Sequence, residues 1–264
     1  MVQEIKSKEI GAQNSFLKLI DEKSKKADSR LILALDPDFR SDTSSLLKDA
    51  KAIVEATSDY ICAVKINFHL LLPLSLNEIS ELNKLADSFG LPVIADIKLN
   101  DIDNTNRVAT SYLWASGFSA VIVNPFVGYE NGLDVVFSEA HRLNKGVITL
   151  GFMSHAGAGE GYGLKLADGR TISQLFLEKA VSWGADGVIL GTTRPEQISR
   201  ARQVLGSRIK IISPGSGAQG GNPVASLRAG ADYLIYGRAI VGDSNPKAAV
   251  KRIREALASD SVKS

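Results

Sequence analysis

One cysteine, Cys62, stands in 264 residues, which excludes an internal disulfide and any zinc site built on cysteines. Surplus charge is equally scarce: 31 Lys and Arg face 29 Asp and Glu, a net charge of +2. A chain so close to neutral lacks the basic surface that general nucleic-acid binding needs. No apolar run approaches the roughly 18 residues of a membrane span, and the opening MVQEIKSKEIGAQ has no apolar core of the signal-peptide kind. Histidines are few, and His69, His141 and His155 form neither HxH nor HExxH, so no metal site is expected. With 44% hydrophobic residues the chain is too apolar to be disordered. These absences leave a cytoplasmic globular protein that binds neither nucleic acid nor membrane.

Glycine, by contrast, is plentiful, at 23 residues, and apolar β-branched runs recur. They span 30–36, 60–65, 91–98, 119–124, 146–151, 186–191, 209–214 and 232–237. Each is apolar on both faces, as parallel strands covered by helices are. Helical patterns lie between them: Leu133, Val136, Phe137 and Ala140 fall on one face of 130–143. Ser75 with Glu78, Thr171 with Gln174 and Thr193 with Glu196 fit capping boxes, and Pro246 suits a first helical position. A further helix is expected over about residues 10–26. A doubly wound sheet would read the same locally. Eight strand–helix units at nearly regular spacing point instead to a (β/α)₈ barrel closed by right-handed crossovers, a single domain over 1–264.

One step between strands is long, and it holds FMSHAGAGEGYGLKLADGR at 152–170. In a barrel this segment lies at the C-terminal face, where active sites sit, so it reads either as a mobile lid or as an insertion without a role. Asp36, Lys65, Asp96 and Lys98 fall at the ends of the first three strands, and Asp101 follows. Side chains alternate along a strand, so Asp96 and Lys98 share a side. If that side is the barrel interior, the lysines and aspartates must pair, because a lone buried charge costs several kcal/mol. An ion-pair plug would satisfy the same requirement, but four charges converging on the catalytic face favour a site.

The run Asp96-Ile97-Lys98-Leu99-Asn100-Asp101-Ile102-Asp103-Asn104-Thr105 resembles the D-x-K-x-x-D-I-x-x-T motif of the orotidine 5′-monophosphate decarboxylase family. Asp36 in LALD, Lys65 in VK, Ser154 in MSH, SPGSGAQGG at 213–221 and Arg238 in GR follow in that family's order. The resemblance implies a monofunctional carboxy-lyase converting orotidine 5′-monophosphate to UMP, with no cofactor and no metal. It implies that Lys98 protonates C6 while Asp96 faces the departing carboxylate. Lys65 would bridge Asp96, the ribose and Lys98, and Asp36 would hold a ribose hydroxyl. Asp101, Ile102 and Thr105 would reach into the neighbouring site of a homodimer, with Asp101 counted in the catalytic set. Ser154 would bind the pyrimidine, Pro214 would line the substrate site, and Gln219, Gly237 and Arg238 would bind the phosphate.

The same chemistry follows from the residues. Loss of carbon dioxide from a pyrimidine leaves a vinyl carbanion, and no cofactor motif supplies an electron sink. A fixed ammonium at that carbon can stabilise the charge and then deliver a proton, which arginine could not readily do. Gly215-Ser216-Gly217-Ala218-Gln219-Gly220 matches G-x-G-x-x-G, but it follows the seventh strand and no acidic residue ends the eighth. A barrel phosphate loop, with Arg238 adding charge, fits better than a dinucleotide fold. Related sugar-phosphate lyases share D-x-K-x-x-D but place an acidic residue at position 65 and recruit Mg²⁺. A binding protein that kept the scaffold without the reaction is the alternative from another class. Cys62 is expected to pack between strand and helix, and His141 to face solvent.

Overall fold

The apolar runs become eight short parallel strands because each is buried on both faces, toward an inner cluster and toward the helices outside. The structure, a computed structural model, describes residues 15–40, 42–215 and 220–261, without the side chains of 260 and 261. The chain opens with α1 (Ser15–Ala27), β1 (Leu31–Ala34), α2 (Leu46–Thr57) and β2 (Ala63–Ile66). A short α3 (Phe68–Leu71) and α4 (Leu76–Ser88) lead to β3 (Val93–Leu99), α5 (Asp103–Ala115) and β4 (Ala120–Val123). After a 3₁₀ turn at Pro125–Val127 come α6 (Asp134–Arg142) and β5 (Gly146–Phe152), then α7 (Ala158–Tyr162) and α8 (Ile172–Trp183). The last quarter holds β6 (Gly187–Leu190), α9 (Pro195–Leu205), β7 (Lys210–Pro214), α10 (Pro223–Arg228), β8 (Tyr233–Tyr236), α11 (Arg238–Val241) and α12 (Pro246–Ser261).

Each strand pairs in parallel with the next and β8 pairs with β1, so the sheet closes as the expected (β/α)₈ barrel. Alternation places Leu31 and Leu33 of β1 against the helices and Ile32 and Ala34 in the interior. The interior cluster continues down to α1, whose Phe16, Leu17 and Ile20 plug the bottom beside Ile148, Ile212 and Tyr233. Gly146 makes that plug possible, since a Cβ there would lie 2.4 Å from the Phe16 ring. Cys62 joins this inner cluster, not the outer strand–helix layer, which corrects its expected place. Burial pushes its thiol pKa up, so it behaves as a small hydrophobe.

The capping boxes at Ser75–Glu78 and Thr171–Gln174 form with both reciprocal hydrogen bonds, and Pro246 opens α12. Thr193–Glu196 does not form one. Pro195 takes the first helical position of α9, where its missing N–H and fixed φ are harmless, and Arg194 becomes the cap residue. The helix therefore starts later than the box required. The face Leu133, Val136, Phe137 and Ala140 is buried as expected, and His141 is exposed. Of the expected N-terminal helix, the part before Ser15 lies outside the described residues. Among the described residues no helix is long and apolar enough to cross a membrane.

Candidate active site

The C-terminal ends of the strands surround a cavity of about 270 Å³. Its walls carry Asp36, Lys65, Asp96, Lys98, Ser154, Pro214, Gly237 and Arg238, and its floor is apolar, with Ile122, Leu150, Ile189 and Ile235. The sequence thus scattered these wall residues over the ends of six strands, and barrel closure converges them on one mouth.

Four of them form a chain of alternating charge. Lys65 Nζ lies 2.8 Å from Asp96 Oδ2 and 3.5 Å from Asp36 Oδ1, and Lys98 Nζ lies 2.8 Å from Asp96 Oδ1. The register explains the first contacts: Lys65 on β2 sits beside Ala34 of β1 and Ile94 of β3, each two residues before an aspartate. Exposure grades outward, from 6% for the Lys65 side chain and 10% for Asp96 to 36% for Lys98. Burial raises the cost of charging Asp96, but the ammonium groups of Lys65 and Lys98 and their hydrogen bonds outweigh it, holding its pKa below 3.8. The carboxylate is therefore fixed in its ionised form between two ammonium groups, of which only Lys98 is open to the mouth. Asp36 Oδ1 is buried and makes no hydrogen bond, so the Lys65 ammonium at 3.5 Å is what answers its charge.

Lys98 reaches Asp96 differently from the way simple alternation suggests. Its backbone is left-handed, with φ 48°, and the pairing of β3 with β4 shifts register between Ala95 and Leu99. The two side chains share the cavity as expected, but an irregular strand end aims the second one.

The segment after β5 is not a bare loop. It contains α7, a bridge between Lys165 and Thr171, and Tyr162 packed 5.5 Å from the Phe152 ring. Ser154 lines the cavity, whereas His155 is exposed outside it. Gly191, at the end of β6, went unnoticed in the sequence. A Cβ there would lie 2.8 Å from Ser154 Cα, so glycine is what seats the serine. Asn67 also lines the cavity and was missed. Its position two residues after Lys65, just past the end of β2, was the available signal.

Asp101, Ile102 and Thr105 do not join these walls. All three are exposed, with Ile102 at 65%, and the Asp101 carboxylate accepts the N–H of Ile102 at 2.8 Å. Gln219 lies outside the described residues, and its flanks Gly215 and Gly220 turn with φ 96° and 73°. Among the described residues no three His, Cys, Asp or Glu side chains gather as metal ligands would.

This architecture defines a (β/α)₈-barrel enzyme with fixed charges at the C-terminal mouth of its strands. Residues 29–253 match the model of the Orotidine 5'-phosphate decarboxylase / HUMPS family, and the chain belongs to that family. It is 39% identical to the orotidine 5'-phosphate decarboxylase of Thermococcus kodakarensis over 87% of this chain and 97% of that one. The Methanococcoides burtonii enzyme of the same name is 36% identical over 85% and 95% of the two chains. The crystal structure of orotidine 5'-monophosphate decarboxylase from Methanocaldococcus jannaschii complexed with the inhibitor BMP is similar at a TM-score of 0.73 and 33% identity, covering 87% and 98%. Leishmania donovani UMP synthase matches at 0.81 and 26% over 93% of this chain, which spans 56% of that longer protein.

Proposed function

We propose that the protein decarboxylates orotidine 5′-monophosphate to UMP, as a single-domain cytoplasmic enzyme and a homodimer, without metal or cofactor. The observation that carries the reading is the Asp36–Lys65–Asp96–Lys98 chain in one cavity. The bond between C6 and the carboxylate breaks, carbon dioxide leaves, and the electron pair stays on C6. Lys98, held at 2.8 Å from Asp96, offers its positive charge to that carbon and then transfers a proton to it. Asp96 faces the departing carboxylate and fixes the Lys98 ammonium in place, while Lys65 holds Asp96 from the buried side. Asp36, in the cavity wall, accepts a ribose hydroxyl, and Ser154 binds the base. Pro214 lines the substrate site, and Gln219, Gly237 and Arg238 hold the phosphate. Relatives that carry this name over nearly their whole length support the substrate.

Exposure of Asp101, Ile102 and Thr105 supports the dimer, in which they enter the neighbouring site. Around them Val108, Tyr112 and Phe126 are exposed apolar side chains that an interface would cover. The family also includes sugar-phosphate lyases, but Lys65, paired with two aspartates, stands where those carry an acid for Mg²⁺. Loss of orotidylate absorbance on adding purified protein tests the reading. Turnover should be the same with and without EDTA and absent in Lys98→Ala. Metal-dependent turnover, or none on this nucleotide, would sink it.

A further inference from the structure

Lys179, on the outer helix α8, takes no part in the site described above. Its ammonium lies 5.5 Å from the centre of the Phe176 ring and 5.2 Å from that of Trp183, and it donates to the carbonyl oxygen of Pro125 at 3.0 Å. Burial pushes its pKa down. Two ring faces and a carbonyl offset the cost of removing such a cation from water. Pro125 opens the turn after β4, and two residues on, the N–H of Val127 donates to Asn100 Oδ1 at 3.0 Å. Asn100 sits between Lys98 and Asp101. The same stretch is fastened again by Asn106, which donates to the carbonyl oxygens of Asp101 and Gly132. On its other side, the Phe176 ring beneath the ammonium meets Tyr162 of α7 edge-on at 6.0 Å, and Tyr162 packs on Phe152 just before Ser154. A single side chain thus touches the seat of the segment after β5 and, through the Pro125–Val127 turn, the loop that carries Asn100 to Thr105.

We propose that Lys179 is a positioning residue for the decarboxylation, holding the Pro125–Val127 turn, and through Asn100 the Asp101–Thr105 loop, in line with the segment after β5 that carries Ser154. The proposal rests on the function argued above. Small displacements of groups that orient substrate cost turnover steeply, and here the displacement would start at a side chain outside the cavity.

A double-mutant cycle tests it, read as kcat/KM for orotidine 5′-monophosphate. Lys179→Met and Asn100→Ala should each lower kcat/KM about tenfold. The double variant should also lose about tenfold, because both break one connection. Lys179→Arg keeps a donor and a cation and should recover most of the loss. Thermal melting checks that the variants are folded, and Lys179→Gln replaces Lys179→Met in the cycle if the latter melts below the assay temperature. An unchanged kcat/KM in folded Lys179→Met, or losses that multiply in the double variant, would overturn the proposal while leaving the decarboxylase reading intact. No turnover by the wild-type protein would overturn that reading, and this inference with it.

Discussion

Lys98 meets Asp96 at 2.8 Å from a left-handed backbone, φ 48°, a conformation that costs a non-glycine residue on the order of 1–2 kcal/mol. The strain is retained at the one lysine open to the mouth of the cavity, where aiming its ammonium depends on it. The position therefore separates activity from stability. Lys98→Ala and Lys98→Gly should both lose turnover, since neither carries a proton donor. Lys98→Gly should nevertheless be the more stable of the two, by about 1 kcal/mol, because glycine occupies this region without strain. Comparing their melting temperatures checks it, and a lower value for the glycine variant would show that the backbone there is not strained.

Asp96 is the partner of both lysines, so removing its charge strands a buried ammonium. Asp96→Asn leaves Lys65 with only Asp36 at 3.5 Å, and breaking a buried pair in this way costs about 3–5 kcal/mol. The pH dependence has a definite sign. The folded pKa of Asp96 is depressed below 3.8, so its stabilisation is complete above the unfolded value and disappears as pH falls through the folded one. Denaturant titrations should show a constant gap between wild type and Asp96→Asn at neutral pH, narrowing only below about pH 4. A gap that narrowed between pH 8 and 6 would contradict the assignment.

How much of this could be read from the sequence depends on the kind of interaction. Strand count and order were legible because burial on both faces leaves an uninterrupted apolar run, and the Asp36–Lys65–Asp96–Lys98 chain was legible because each member ends such a run. The left-handed turn at Lys98 was not, since alternation of side chains assumes a regular strand and the register shift of β3 against β4 arises only in pairing. Thr193–Glu196 had the spacing of a cap, but Pro195 decided the start of α9. Gly191 and Lys179 escaped notice because their partners, Ser154 and Pro125, are remote in sequence, and nothing local marks either residue.

Gly191→Ala should displace Ser154 without touching any charge. The added Cβ would lie 2.8 Å from Ser154 Cα and 2.9 Å from its Cβ, and backbone cannot rotate away. Overpacking of this kind costs about 1–3 kcal/mol. KM for the nucleotide should rise along with the loss of stability, whereas a variant with unchanged KM and melting temperature would mean that Ser154 has room to move.

At the opposite end of the barrel, Asp21 of α1 accepts from the Tyr233 hydroxyl and pairs with Lys210 at 3.0 Å. α1 lies outside residues 29–253 matched by the family model, and its ties are to the barrel bottom. Asp21→Ala should lower stability by about 1.5–3 kcal/mol, the range for hydrogen bonds to charged groups, and leave kcat/KM as it is. Activity assays below the melting transition check this. A fall in kcat/KM of the folded variant would place α1 in communication with the mouth.

The proposed dimer makes a prediction that no monomeric reading shares. If Asp101 works in the neighbouring site, Lys98→Ala and Asp101→Ala chains are each inactive alone but complement each other when mixed. In a hybrid, one site lacks both groups, while the other has its own Lys98 and takes Asp101 from its partner. Random reassociation gives half hybrids with one working site each, so the mixture should recover about a quarter of wild-type activity, as the two-fold symmetry of a dimer requires. Unfolding and refolding the mixed chains before assay allows exchange, and size-exclusion chromatography confirms that dimers re-form. If Asp101 instead served its own site, every chain in the mixture would still lack either Lys98 or Asp101, and no activity would return.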